Sequence, residues 1–290
     1  MSTSWNGNVS QDELMHSDQC ILIDENDAVI GEASKASAHT FSTEQPRGLL
    51  HRAFSVFLFD MEGKLLLQQR AAEKITFPNV WTNTCCSHPL SPTEVDFEGD
   101  LINLSLHGVK SAAIRKLHQE LGIDAKEVPM EKFKFLTRLH YWAADVVTHG
   151  KDSVWGEHEI DYILFIQCNV TCKPNPEEVQ SFKYVSQSEL LAMMDPSKGL
   201  LWSPWFRIIA ETFLSKWWKD LNITLTTQTF VDVKTIYRFD PSEEHMGGKG
   251  KAGKWLGKAK YLSPGENNGN KVLTPRQADS IRFNYTTAHL

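Results

Sequence analysis

The stretch GVKSAAIRKLHQELGI, residues 108–123, carries apolar side chains at Val109, Ala112, Ala113, Leu117 and Leu121. That spacing places them along one face of a helix, a stripe suited to covering a core. Gly122 stands where a helix ends in the left-handed conformation that glycine adopts without steric cost. Upstream, LLHRAFSVFLFDMEGKLLLQQR (49–70) is two apolar runs broken by an Asp-Met-Glu-Gly turn at Gly63, the pattern of a β-hairpin. CILIDENDAVIGEA (20–33) repeats the pattern more weakly, with its turn at Glu25, Asn26 and Asp27.

Downstream, KFKFLTRLHYWA (132–143) and IDYILFIQCNV (160–170) are β-rich, and the second is apolar enough for a central strand. SFKYVSQSELLAM (181–193) predicts a short strand, a Ser186 cap and a helix. SPWFRIIAETFLSKWWKDL (203–221) predicts one long helix with Ser203 as N-cap and Pro204 in its first turn. Strands and helices in this mixed order predict an α+β fold, a mixed sheet flanked by helices. Residues 1–17 read as a flexible N-terminal arm, 18–221 as the folded domain and 222–290 as a loosely ordered C-terminal extension. Within that extension TLTTQTFVDVKTIYRF can pair as a short strand, and the Gly- and Lys-rich HMGGKGKAGKWLGKAK reads as a solvated tail.

A net charge of −6 argues against nucleic-acid binding, so an anionic ligand would need local basic residues or metal. The N-terminus lacks the basic start and apolar core of a signal peptide, and no apolar run approaches the length of a membrane span. Five scattered cysteines fit a reducing compartment better than a disulfide framework, and Cys168 and Cys172 read as structural. The expectation is a cytoplasmic monomer.

Three features carry chemistry. WTNTCCSHPL (81–90) sets Cys85 beside Cys86, and the pair taken alone could be core filler, metal ligands, a redox couple or a nucleophile. His39, His51 and His88 lie in or beside predicted strands. In WGEHEIDY (155–162), Glu157 and Glu159 are two apart, so in a strand both carboxylates face one side. Three imidazoles and two carboxylates make a nitrogen and oxygen cage that suits manganese, magnesium or zinc.

The helix at 108–123 resembles an altered Nudix box, Gly-x5-Glu-x7-Arg-Glu-U-x-Glu-Glu-x-Gly-U with U apolar. Arg115, Leu117, Glu120, Gly122 and Ile123 match it, while His107, Lys116 and Gln119 replace three of its glutamates. The resemblance implies that the Nudix-like fold survives without the hydrolytic power. Together with WTNTCCSHPL, WGEHEIDYILF and SPW, the altered box resembles the type I isopentenyl-diphosphate isomerase family, from about Cys20 to Asp220.

The resemblance implies interconversion of isopentenyl and dimethylallyl diphosphate through a tertiary carbocation, in isoprenoid and sterol biosynthesis. It implies Cys86 and Glu159 as the acid–base pair, Tyr141 assisting Glu159, Trp205 facing the cation, and Cys85 as packing. A divalent metal (Mn2+, Mg2+ or Zn2+) would sit among His39, His51, His88, Glu157 and Glu159. Lys35, Arg70, Lys74 and Lys116 would hold the diphosphate, with a magnesium ion bridging it to Glu120.

The chain departs from the family pattern in SPTEVDFEGDLINLSLHG (91–108) and in ADVVTHGKDSV (144–154), which reads as part of a lid, and in the C-terminal extension. The ending Ala288, His289, Leu290 loosely resembles a Ser-Lys-Leu peroxisomal address, an alternative to the cytoplasm. The rival functions are a Nudix-type diphosphohydrolase and a non-catalytic metal- or diphosphate-binding module.

Overall fold

The computed structural model describes residues 11–150, 153–240 and 260–262. In chain order the elements are α1 (Gln11–Ser17), β1 (Gln19–Ile23), β2 (Val29–Ser34), α2 (Lys35–His39), β3 (His51–Phe59) and β4 (Leu65–Arg70). Next come β5 (Trp81–Thr82), β6 (Cys85–Ser87), α3 (Glu98–Ile102), α4 (His107–Leu121), β7 (Lys134–Ala144) and α5 (Val146–His149). They are followed by β8 (Gly156–Gln167), β9 (Val179–Val185), α6 (Gln187–Met194) and α7 (Pro204–Ile209). A π-helical stretch over Ala210–Leu214 leads into α8 (Ser215–Lys219), α9 (Leu221–Thr226), β10 (Ile236–Asp240) and β11 (Lys260–Leu262).

The main sheet path runs β11-β10-β7-β8-β3-β1-β2, with β4 and β6 also on β3 and β5 and β9 on β4. β3 pairs parallel with β8 and β7 antiparallel with it, so the sheet is mixed and the fold α+β. β3 is buried along its whole length, and its alternating side chains feed two cores. Phe54, Val56 and Leu58 meet α4 in one core; Phe57 and Phe59 meet α7 and α8 in the other, with Phe206, Trp217 and Trp218.

α4 is held at both ends by distant backbone. The Asp96 carboxylate accepts from the amides of Gly108 (2.9 Å) and Val109 (2.8 Å), satisfying the N–H groups a helix start leaves unpaired. Gly122 takes φ 66° as C-cap, and the amides of Lys173 (2.6 Å) and Asn175 (2.9 Å) donate to the carbonyls of Leu121 and Glu120. A Cβ on Gly108 would lie 2.2 Å from the Glu94 carbonyl oxygen. Gly108→Ala is therefore expected to destabilise the fold by about 2–3 kcal/mol through overpacking, read as a lower urea midpoint with an unchanged slope.

Several expectations are corrected. The flexible arm over 1–17 and the loose extension over 222–290 both give way, in their described parts, to ordered elements. Residues 11–17 form α1, which buries Met15, and 221–226 form α9. β10, which lies at the end of the stretch TLTTQTFVDVKTIYRF expected to pair as a short strand, runs parallel to β7 in the register Ile236↔Arg138 to Phe239↔Tyr141. What orders it is burial of Phe239 at 4 % exposure and an ion pair from Arg238 to Glu25 (2.7 Å). Arg238 and Glu25 are 213 residues apart, and Phe239 pairs with Tyr141 and packs against Phe213, so immediate neighbours carry no sign of these partners. The long helix expected over 203–221 is interrupted by its π-helical stretch. His39, expected in or beside a strand, closes the short helix α2 that follows β2 directly. Residues 1–10, most of the Gly- and Lys-rich stretch and the Ala288, His289, Leu290 ending lie outside the described residues. No helix among the described residues is long and apolar enough to cross a membrane.

Candidate active site

Strand alternation separates the two adjacent cysteines. β6 pairs with β3 with Cys85 opposite Val56 and Cys86 opposite Ser55. Cys85 therefore enters the α4 core, fully buried, and Cys86 turns to the other face, half-buried. β8 places Glu157 and Glu159 two residues apart on that second face, beside Asp161. Glu159 pairs in register with His51 on one side and Tyr141 on the other.

His39, His51, His88, Glu157 and Glu159 converge until one ligand atom from each lies within 4.8 Å of all the others, and all five are buried. His39 Nδ1 donates to the Lys35 carbonyl (2.7 Å) and His51 Nδ1 to the Leu49 carbonyl (2.8 Å). Those bonds fix the tautomer that turns each Nε2 lone pair inward, as metal-binding histidines require. His39 Nε2 sits 2.8 Å from Glu157 Oε2, yet neither atom reaches hydrogen-bond geometry, and His51 Nε2 is likewise unpartnered. Buried polar atoms left unpaired are costly. Inward-facing, unpaired nitrogen and oxygen donors fit a divalent cation.

Around Glu159 the electrostatics compete. Burial raises its carboxyl pKa, but His51, Tyr141 and His39 outweigh burial and hold it below the usual value. Tyr141 donates its hydroxyl to Glu159, and His88 Nε2 lies 2.8 Å from the other carboxylate oxygen. The Cys86 thiol pKa is pushed well up, first by burial and then by Glu159, Asp161 and Glu157. Both influences favour the neutral S–H over the thiolate.

These side chains open on one cleft with about 360 Å³ of empty space including its mouth. Cys86, Trp205 and the acidic and imidazole groups of His39, His88, Glu120, Glu157 and Glu159 line it together with Lys35, Arg70, Lys74 and Lys116, and with Thr76 and Ser87. Every candidate residue named from the sequence either lines this cleft or, as with His51 and Tyr141, touches Glu159 from behind it. Trp205 is placed by the Ser203 cap of α7 and by its own Nε1 donating to Asn83 (3.1 Å). Arg70 donates to the carbonyls of Phe77 (2.9 Å) and Thr76 (2.8 Å), and its guanidinium lies 5.6 Å from the Trp205 ring centre.

Arg115 of the altered box does not reach the cleft. It grips both oxygens of Glu94 (2.8 and 2.7 Å) and the His88 carbonyl (3.2 Å), tying α4 to the loop that carries His88. The first of the longer connections, after Cys86, is thereby pinned to α4. In the second, Asp145 accepts from the Phe77 amide (2.8 Å) and His149 contacts the Ile75 carbonyl (2.9 Å). Residues that sequence reasoning missed are Thr76, whose hydroxyl donates to Glu157 (3.0 Å), and the buried Asp145, Asp161 and Glu178. Only Asp161 had a local signal, as the next same-face residue after Glu157 and Glu159.

A mixed sheet with α4 across one face and this carboxylate- and cation-lined cleft beside it is a Nudix arrangement, and residues 49–206 match the NUDIX domain family. The chain is 49% identical over 239 residues to Isopentenyl-diphosphate Delta-isomerase 1 of Bos taurus, covering 79% of this chain and 98% of that protein. It is 50% identical over 204 residues to the isopentenyl-diphosphate delta-isomerase of Schizosaccharomyces pombe, covering 70% and 84%. The match to isopentenyl-diphosphate delta-isomerase idi1 of Aspergillus fumigatus is 54% over 212 residues, covering 70% and 72%. The chain belongs to the isopentenyl-diphosphate delta-isomerase family of Nudix proteins. The family uses divalent metal, and the buried His/Glu cluster is chemically suited to it.

Proposed function

We propose that this protein converts isopentenyl diphosphate to dimethylallyl diphosphate for isoprenoid and sterol synthesis. The observation that carries the reading is an S–H group, Cys86, and a carboxylate, Glu159, lining one cleft together with the Trp205 indole. Proton addition at the terminal alkene carbon produces a tertiary cation, and proton loss from the carbon next to the diphosphate-bearing one completes the shift. Cys86 and Glu159 share these two transfers, one as acid and the other as base. Tyr141 orients Glu159 through its hydroxyl, and the Trp205 ring stabilises the cation without attacking it, worth roughly 1–2 kcal/mol when desolvated. Burial of Tyr141, Glu157, Glu159 and Trp205 keeps water from quenching the cation.

Lys35, Arg70, Lys74 and Lys116 supply the positive charge that an acidic protein needs to hold a diphosphate. A divalent ion at His39, His51, His88, Glu157 and Glu159 (Mn2+, Mg2+ or Zn2+) would supply positive charge next to Glu159, and a magnesium ion would join the diphosphate to Glu120. A diphosphohydrolase is not favoured, because Lys116 and Gln119 occupy carboxylate positions of the box.

The test is proton NMR of the protein with isopentenyl diphosphate and magnesium in D2O. Dimethylallyl methyl signals with deuterium incorporation are the expected result; release of free phosphate or diphosphate would overturn it. A second prediction concerns the metal. Zn2+, Mn2+ or Mg2+ added separately to metal-stripped protein is expected to raise the melting temperature, by about 2.7 kcal/mol of stability at a hundredfold excess over Kd. In the His39→Ala protein that rise should vanish for the ion that fills the cluster; a rise that survives the substitution places the ion elsewhere.

A further inference from the structure

Three distant parts of the chain meet on one carboxylate that the mechanism above does not use. Glu178, in the segment ahead of β9, is 5 % exposed. Its oxygens lie 2.6 Å from Lys74 Nζ, 3.9 Å from Lys116 Nζ and 2.9 Å from Gln11 Nε2 of α1. Both lysines line the cleft. The segment itself is fixed, because its amides at Lys173 and Asn175 donate to the end of α4 and the Glu178 carbonyl accepts from the Ala71 amide (3.0 Å). Glu178 is therefore held by backbone that spans α4 and the turn after β4.

A lysine is a point charge on a flexible stem, and buried without a counter-charge it sheds its proton. Lys116 has Glu120 at 3.3 Å as a second partner; the ion pair of Lys74 is with Glu178 alone among the described residues. We propose that Glu178 is a positioning residue for diphosphate binding, holding Lys74, and with Glu120 also Lys116, aimed and charged at the wall of the cleft before substrate arrives. The inference rests on the isomerase reading above for its substrate.

The groups around Lys74 give the proposal its pH signature. Glu178 faces it from ahead of β9, Lys35 from α2, Arg70 from β4 and Lys116 from α4. Burial and those three cations bring the Lys74 ammonium down to about 8 against the opposing pull of Glu178. Without that carboxylate only the lowering influences remain. Lys74 then loses its charge at a lower pH, and the loss of diphosphate affinity is greater at pH 8 than at pH 6.

Glu178→Gln keeps the side-chain size and removes the charge. Its KM for isopentenyl diphosphate is expected to rise about tenfold at pH 8 and about threefold at pH 6, with kcat within about threefold of the parent. Glu178→Asp, one methylene short but charged, is expected to keep the parental pH profile with KM raised about threefold. It decides the matter alone should the Gln protein not fold. The Lys74→Met, Glu178→Gln double variant is expected to bind only slightly more weakly than Lys74→Met, through Lys116 alone, and by much less than the sum of the single losses, since Lys74 and Glu178 act as a unit.

A parental KM in either single variant, a rise equal at both pH values, or additive losses in the double variant would overturn the proposal. Calorimetric titration with inorganic diphosphate and magnesium is run on the same proteins. If the parent fails to isomerise its substrate, the isomerase reading falls by itself. The same pH-dependent loss of diphosphate affinity in Glu178→Gln then still supports the positioning role, and an unchanged affinity rejects it.

Discussion

Cys86→Ala is expected to lower turnover of isopentenyl diphosphate by about 10²–10⁴-fold, the range for a proton-transfer group, while the melting temperature stays within a few degrees of the parent. Cys86 is half-buried at the edge of the second core and opens on the cleft, so truncation removes little packing. What it removes is an S–H held protonated by burial and by the carboxylates of Glu159, Asp161 and Glu157. Cys85→Ala makes the opposite expectation. That side chain is fully enclosed in the α4 core, and its loss should cost about 1–2 kcal/mol of stability with turnover nearly intact. The pair is read by deuterium incorporation and by thermal melting on both proteins. Equal losses of turnover from both substitutions, or loss from Cys85→Ala alone, would contradict the assignment of faces made by β6.

Asp27→Ala is expected to destabilise the protein by about 3–5 kcal/mol, because it strands two buried guanidinium groups. Asp27 sits in the turn after β1 at φ 70°, a conformation aspartate tolerates better than most residues. Its carboxylate accepts from Arg52 Nε (2.9 Å), Arg138 Nη1 (2.9 Å) and the Tyr162 hydroxyl. Its backbone carbonyl accepts from Arg52 Nη2 (2.9 Å). Arg138 also donates to the Val233 carbonyl (2.9 Å), and Arg52 to that of Asp96 (2.7 Å). One residue thereby ties the β1–β2 turn to β3, β7 and β8, to the cap of α4 and to the approach of β10. Urea unfolding should show the midpoint falling with an unchanged slope. A loss below about 1 kcal/mol would mean that the arginines find other partners.

Much of the local structure was legible from neighbouring residues. The hairpin over 49–70, the amphipathic helix over 108–123 with its glycine cap, the two β-rich runs and the Ser186 and Ser203 caps all stand where periodicity and capping chemistry put them. These features depend on residues within a few positions of each other, so a short window contains their cause. The π-helical stretch at Ala210–Leu214 and the short helix ending at His39, which starts on a Ser34 cap, were not read from the sequence.

The site divides along the same line. Motifs named its residues, and the two-residue period put Glu157 and Glu159 on one face of a strand, all without coordinates. Which strands lie side by side was decided by tertiary structure. The parallel β3–β8 register sets His51 against Glu159, and the β6 pairing turns Cys86 to the same face while sending Cys85 into the opposite core. The Glu178 junction of Gln11, Lys74 and Lys116 and the Asp27 junction of Arg52, Arg138 and Tyr162 likewise join residues far apart in the chain. By itself the sequence determined the elements, their buried faces and the chemical character of the site. Only the folded chain decided register, the convergence of the three histidines and two glutamates and the pairing of buried charges, because those depend on contacts whose partners no local pattern encodes.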